Sequence, residues 1–196
     1  MEWVLKRVEQ QTDHPYLNFY VFHYEVGQER EEMTYFVASR NEKENLRANT
    51  KDFSFPDGVI IIAIAEQPEP SVLVIEQFRP ALNAFIIEFP AGLTDKGDAD
   101  MKSTAIREAK EESGIALSDV EVFCPPSPTS TGLSDELCGV VIGRVDSLGA
   151  TALEHFEDIS TTFVPIKKLP ELLSDPKKII ALNVRLCMLY LIEKYK

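Results

Sequence analysis

"IREAKEESGI", residues 106–115, decides how this chain is read. Three glutamates, Glu108, Glu111 and Glu112, fall behind Arg107 and ahead of Gly114. On a helix, positions i, i+3 and i+4 share a face. At about 100° per residue, Glu111 stands about −60° and Glu112 about +40° from Glu108, an arc of about 100°. Ala105, Ile106 and Ala109 take the adjoining side, which can pack on a sheet. The acidic arc therefore borders the buried side and does not oppose it. Like charges at this spacing cost about 0.2–0.5 kcal/mol per pair. They also stand near a helix C-terminus, where the macrodipole disfavours anions. Arg107 can pair with part of this charge. A hard divalent ion, Mg²⁺ or alternatively Mn²⁺, suits the oxygen donors. On the cluster alone an exposed Glu-rich helix end is the competing reading. An EF-hand loop fails, because its regular Asp/Asn spacing around a central Gly is absent.

Outward from this helix, expected over Met101–Ser113 with Gly114 as its stop, the chain reads as strands. "YLNFYVFHYEV" (16–26) and "MTYFVAS" (33–39) are aromatic and β-branched, joined by the polar "GQEREE", and predict a hairpin. Residues 1–50 are thus expected to form a small N-terminal antiparallel β unit. "SRNEKENLRANTKD" has no period and reads as a linker. "PDGVIIIAIAE" is a buried strand, "QPEP" a turn, "SVLVIEQFRP" a second strand and "AFIIEFPAG" a third, ending at Pro90. "GVVIGRV" (139–145) and "STTFVPI" (160–166) are further strands. A short helical turn is expected over 168–173. Asp175-Pro176 reads as N-cap and first turn of a C-terminal helix over 177–195. Strands, helix, strands, helix make a mixed α/β domain with hairpin connections, over 51–196.

Composition excludes other classes. With 44% hydrophobic residues the chain can bury a core. A net charge of −12 argues against nucleic acid and anionic membrane as partners. The longest apolar run, Val59–Ala65, is too short to span a bilayer. The start lacks the apolar run of a signal peptide. Cys124, Cys138 and Cys187 are odd in number and without zinc spacing. A reducing, cytoplasmic setting fits these features.

"REAKEESGI" (107–115), with Gly92 upstream in "FPAGLTDKGD", resembles the signature box of the Nudix hydrolase family. That box is a Gly, five residues, a Glu, seven residues, then Arg-Glu-(apolar)-x-Glu-Glu-x-Gly-(apolar). One departure stands out. Arg107 lies one residue too far from Gly92, and the first box Glu is missing. Asp98 stands six after Gly92 and Ala99 eight before Arg107. The extra residue is expected in the loop before the helix. "EQFRPALNAFIIEFPAGL" narrows the resemblance to the ADP-sugar (ADP-ribose) pyrophosphatase branch, and the match runs on through "SPTSTGLSDE" and "FEDISTTFVPI".

The resemblance implies an α/β/α sandwich with Mg²⁺ or Mn²⁺ as cofactor and a nucleoside diphosphate sugar as substrate. It also implies a homodimer built by the N-terminal unit. Carried over residue by residue, it makes Glu108, Glu111, Glu112 and the backbone carbonyl of Ala91 metal ligands. Arg107 orients a box glutamate. Arg79 contacts phosphate or sugar, Leu93 lines the sugar pocket through its backbone, and Glu88 supports them. The general base comes from a later loop, where Glu157 is chosen over Glu154 and His155. Glu112 and Glu157 are the catalytic assignments. Trp3 is the candidate for stacking the base, with no second aromatic evident beside it. Hydrolysis of ADP-ribose is the leading expectation. Another nucleotide sugar such as GDP-mannose is the alternative, and a non-catalytic ligand sensor ranks below both, since the three glutamates are intact.

Overall fold

The computed structural model describes residues 1–153 and 158–196. Glu157 and its rivals Glu154 and His155 lie outside the described residues. The chain forms two units, residues 1–57 with 126–138, and residues 58–125 with 139–196.

In the first unit, β1 (Trp3–Gln10), β2 (Asn18–Val26) and β3 (Glu31–Ser39) form an antiparallel sheet in that order. Opposed residues share a face. Phe22 stands across from Val8 and Tyr35, and Tyr20 across from Val37. Val8, Tyr20, Phe22, Val37 and Leu46 form the core of this unit. The sequence reading left β1 unassigned, because a register shift between Leu5 and Arg7 breaks its alternation. The expected linker contains a 3₁₀ turn at 43–45 and one helical turn, α1 (Arg47–Thr50). Arg47 ties it down. Its guanidinium donates to the Asp57 carboxylate at 2.9 Å and to the carbonyls of Asp52, Phe55 and Asp135.

The second unit holds a mixed sheet of β10-β5-β4-β9-β8, with β6 on β5 and β7 on β4. The strands are β4 (Gly58–Ala65), β5 (Ser71–Arg79), β6 (Ala84–Glu88), β7 (Ala91–Leu93), β8 (Ile115–Pro128), β9 (Leu137–Leu148) and β10 (Ile159–Pro165). The distal end of β8 and the first residues of β9 belong to the first unit. β4 is buried along both faces, as its unbroken apolar run requires. Val59, Ile61 and Ala63 pack with Leu73, Ile115 and Val141 and with Met101, Ala105 and Ala109 of α2 (Met101–Ser113). The mixed α/β class is the expected one.

α2 has its expected bounds because both ends are chemically marked. Asp100 caps the N-terminus: its carboxylate accepts from Ser103 N at 2.9 Å while its own N–H donates to Ser103 Oγ at 3.0 Å. Gly114 ends the helix in the left-handed region, φ 65°. Ile106, placed on the packing side by sequence, is 44% exposed; it stands about 160° from Glu108, beyond the buried arc.

The C-terminus differs from expectation. Asp175 ends α3 (Leu169–Ser174), and the last helix, α4 (Leu182–Lys194), starts seven residues later with Ala181 as its N-cap. The intervening backbone is taken by β6: Ile87 N donates to Ile179 O at 2.8 Å and Ala181 N to Ile87 O at 3.1 Å. Tertiary pairing here overrides a good local capping signal.

Gly114 also meets the segment after β9. Gly149 N donates to Gly114 O at 2.6 Å and Ala152 N to Glu111 O at 2.7 Å, satisfying carbonyls at the end of α2. A Cβ on Gly114 would lie 2.4 Å from the Gly149 carbonyl oxygen. Gly114→Ala should therefore lower stability by more than the about 1–2 kcal/mol of a left-handed alanine. The measurement is a lower urea midpoint at unchanged m value.

Candidate active site

The acidic arc of α2 is graded by burial. Glu112 is 7% exposed and sits on the side that also buries Thr104, Ala105 and Ala109. The Glu108 side chain is 13% exposed and that of Glu111 47%. The order follows from angle: Glu112 stands near the middle of the buried side, Glu108 at its edge and Glu111 outside it. Burial pushes the Glu108 carboxyl pKa up, against the pull of Arg107, and neighbouring Glu111 adds to the rise.

Arg107 binds the site to the loop before the helix. Nη1 donates to Glu108 Oε1 at 2.7 Å and Glu111 Oε2 at 3.1 Å. Nη2 donates to Asp98 Oδ2 at 2.8 Å and to the Leu93 carbonyl at 3.0 Å, and Nε reaches Asp98 Oδ1 at 3.3 Å. Asp98 also accepts from Thr104 Oγ1 at 3.0 Å and Asp95 N at 2.9 Å. Asp98 thus fills the position six after Gly92 with a shorter acid. The extra residue falls between Asp98 and α2, in the short extended stretch that ends at the N-cap Asp100. The Arg107 guanidinium holds the Asp98 carboxyl well below the usual carboxylate range, and the acids around Arg107 raise its own pKa in turn.

These groups line a cavity of about 640 Å³ in the second unit. Glu108, Glu111 and Glu112 face it from α2, Ala91, Gly92 and Leu93 from β7, and Gln77 and Arg79 from β5, with Ala152 beside them. Ala91 N donates to Glu112 Oε2 at 3.2 Å. Arg79 Nε donates to Glu88 Oε2 at 2.7 Å across the β5–β6 pair. Of the sequence-predicted residues, the structure brings Arg79, Ala91, Leu93, Glu108, Glu111 and Glu112 to this one cavity. Leu93 enters with its carbonyl held by Arg107.

Trp3 belongs to the first unit. There it lines a cavity of about 430 Å³ with Leu5, Tyr24, Met33, Tyr35 and Lys51. Its ring meets Tyr24 edge-on at 5.7 Å. The aromatic companions that sequence reading did not find come from neighbouring strands. Leu5 pairs with Tyr24, and Tyr24 with Met33.

A divalent cation fits the chemistry of the α2 wall. The donors are carboxylate oxygens, two of them largely buried. A Cβ on Gly92 would lie 1.9 Å from Glu108 Cδ, so glycine leaves the room that carboxylate occupies. Among the described residues, no three His, Cys, Asp or Glu side chains are gathered as a metal-holding group. Glu108 and Glu111 are instead turned onto Arg107, and rotation about their side-chain bonds separates the two arrangements.

Residues 54–182 match the NUDIX domain family. The chain belongs to that family. Among relatives of this NUDIX chain, the methanol dehydrogenase activator of Bacillus methanolicus is 35% identical over 89 residues, 45% of this chain and 46% of its own. The ADP-ribose pyrophosphatase of Saccharomyces cerevisiae is 35% identical over 127 residues, 59% of this chain and 53% of its own. The chain thus spans about half the length of these curated relatives. A crystal structure of an ADP compounds hydrolase superimposes with TM-score 0.72 at 14% identity, covering 100% of this chain and 94% of that one, and shows the fold. Among the described residues, no helix of this NUDIX protein is long and apolar enough to cross a membrane.

Three site residues escaped the sequence reading: Asp98 in its supporting role, Ala152 and Gln77. The signal for Gln77 was its spacing of two from Arg79, which puts both on one face of a strand. For Asp98 the structure supports an acid-limb prediction. Its carboxyl titrates below its unfolded value of about 3.9, so its stabilisation is full above pH ~4 and fades as pH falls through the folded value. Asp98→Asn should be less stable than wild type at pH 7. The gap should close progressively below pH ~4, read as urea midpoints across pH.

Proposed function

We propose that this NUDIX protein hydrolyses the pyrophosphate of ADP-ribose, or a related ADP-sugar, to AMP and a sugar phosphate. The observation that carries the proposal is the polarised cavity: three carboxylates on one helix face it together with Arg79 from the opposing strand. The names of relatives support the substrate class, since the yeast and Bacillus subtilis proteins are called ADP-ribose pyrophosphatases.

Phosphoryl transfer of this kind needs positioning and charge neutralisation more than covalent chemistry. Glu108, Glu111, Glu112 and the Ala91 carbonyl are assigned as ligands of Mg²⁺, with Mn²⁺ as the substitute. When bound there, the ion would supply charge neutralisation for the phosphates and would activate a water for attack. Glu112, buried and oriented by Ala91 N, is the most rigid of the three. Glu111, most exposed, adapts as charge builds. Arg107 sets the rotamers of Glu108 and Glu111 and is itself too committed to serve the substrate. Arg79 meets the phosphates, and Leu93 borders the sugar. Glu157 is assigned as general base, with Glu154 and His155 as alternatives to be separated by mutation. Trp3 with Tyr24 and Tyr35 is assigned to the base. Residues 1–50 are assigned to a homodimer contact and 51–196 to the hydrolase domain, in a cytoplasmic protein.

The test is turnover by purified protein with Mg²⁺ across a panel of ADP-ribose, other ADP-sugars and GDP-mannose. ADP-ribose should give AMP and ribose 5-phosphate with the highest kcat/KM. Glu112→Gln should lose about 100-fold or more in kcat while keeping the wild-type Tm. No turnover of any nucleoside diphosphate sugar would sink the proposal. Equal activity in Glu112→Gln would remove the ligand assignment.

A further inference from the structure

Gln77 is the feature the proposed chemistry leaves unused. It lies on β5, opposite Ile86 of β6 and Ile159 of β10. Alternation along the strand puts Leu73, Ile75, Gln77 and Arg79 on one side. Leu73 and Ile75 are each 1% exposed and apolar. Gln77 is 9% exposed, and where the row reaches the cavity it replaces an aliphatic side chain with an amide. That amide makes no hydrogen bond to any described residue. Its polar end opens to the cavity, where a ligand can take up its hydrogen-bonding capacity.

The two walls of the cavity explain what such a group is for. The α2 wall is anionic, and its one guanidinium, Arg107, is spread over Asp98, Glu108, Glu111 and the Leu93 carbonyl. The β5 wall carries Arg79, whose Nε is given to Glu88 while its terminal nitrogens bond no described residue. Gln77 stands two residues before Arg79, about 6.5–7 Å along the strand. At that separation, on one face of the strand, both side chains can reach a single ligand in the cavity.

We infer that Gln77 is a substrate-binding residue, donating its side-chain N–H to a non-bridging oxygen of the pyrophosphate beside Arg79. The inference rests on the pyrophosphatase reading above. A neutral donor at this depth has a physical advantage. It recognises an anionic oxygen without adding a second buried cation that would close onto Glu108 or Glu112 when substrate leaves.

The experiment is calorimetric binding, with Mg²⁺ present, of two non-hydrolysable probes: α,β-methylene ADP-ribose and α,β-methylene ADP, which lacks the terminal sugar. Gln77→Met removes the donors at similar length. Gln77→Glu keeps the shape and adds a negative charge. Gln77→Met should weaken both probes by about 10–100-fold, the loss of a hydrogen bond to a charged group. Gln77→Glu should weaken them further, and both variants should keep the wild-type Tm within a few degrees. In turnover, the loss in Gln77→Met should fall mainly on KM. Wild-type affinity in either variant overturns the inference alone. Weakening confined to the sugar-bearing probe also overturns it, moving Gln77 to the sugar. Failure of wild type to bind either probe overturns the pyrophosphatase reading and this inference with it.

Discussion

The site depends on one side chain that reaches in two directions. Arg107 sits on α2, yet it donates three hydrogen bonds to residues before the helix, two to Asp98 and one to the Leu93 carbonyl. It donates two more to Glu108 and Glu111 on its own helix. Without it, three carboxylates would repel one another beside a helix C-terminus, and the loop would have nothing to close upon. With it, Glu108 and Glu111 are held at the cavity wall on one guanidinium. Glu112, which Arg107 does not reach, is fixed from the other side by Ala91 N. Glu108 and Glu111 are therefore oriented by one guanidinium nitrogen and Glu112 by a backbone N–H, and all three line one cavity.

How much of this was legible depends on whether the cause was local. α2 was readable at both ends because Asp100, Ser103 and Gly114 act within a turn of the helix they bound. The buried strand β4 was readable because seven apolar residues in a row have no other stable place. β1 escaped because its bulge spoils the alternation, and β8 because charged and apolar residues mix along a strand that ends in prolines. The start of α4 was misplaced because Ile179 and Ala181 give their backbone groups to Ile87, a partner about ninety residues away that no capping rule can see. In the site, helical spacing exposed the glutamates. Asp98 looked like a gap in the pattern, because the departure was judged by residue type and count. The structure shows that the chemistry of the position, an acid within reach of Arg107, is kept.

The net charge of −12 sharpens what the cavity must do. On the proposed function, a dianionic substrate approaching this surface would meet like charge at long range, screened beyond about 8–10 Å at physiological salt. Attraction must therefore be local. The α2 wall supplies none by itself; the β5 wall supplies Arg79, partly engaged by Glu88. The asymmetry bears on the proposed function: an acidic wall would have to gain positive charge before a pyrophosphate could rest against it. Burial already disfavours the charged form of Glu108 there.

The same asymmetry accounts for the mixture of paired and unpaired donors around the cavity. A fully paired wall is stable and inert, because every hydrogen bond offered to substrate must first be broken elsewhere. A fully unpaired wall costs too much to fold. Here the cations are paired, Arg107 fully and Arg79 at one nitrogen, and it is the neutral amide of Gln77 that is left without a bond to the described residues. An uncharged donor is the least costly group to leave waiting, since its desolvation penalty is far below that of a buried guanidinium. The cavity thus commits Arg107 to structural pairing and leaves the terminal nitrogens of Arg79 and the neutral amide of Gln77 without bonds to the described residues.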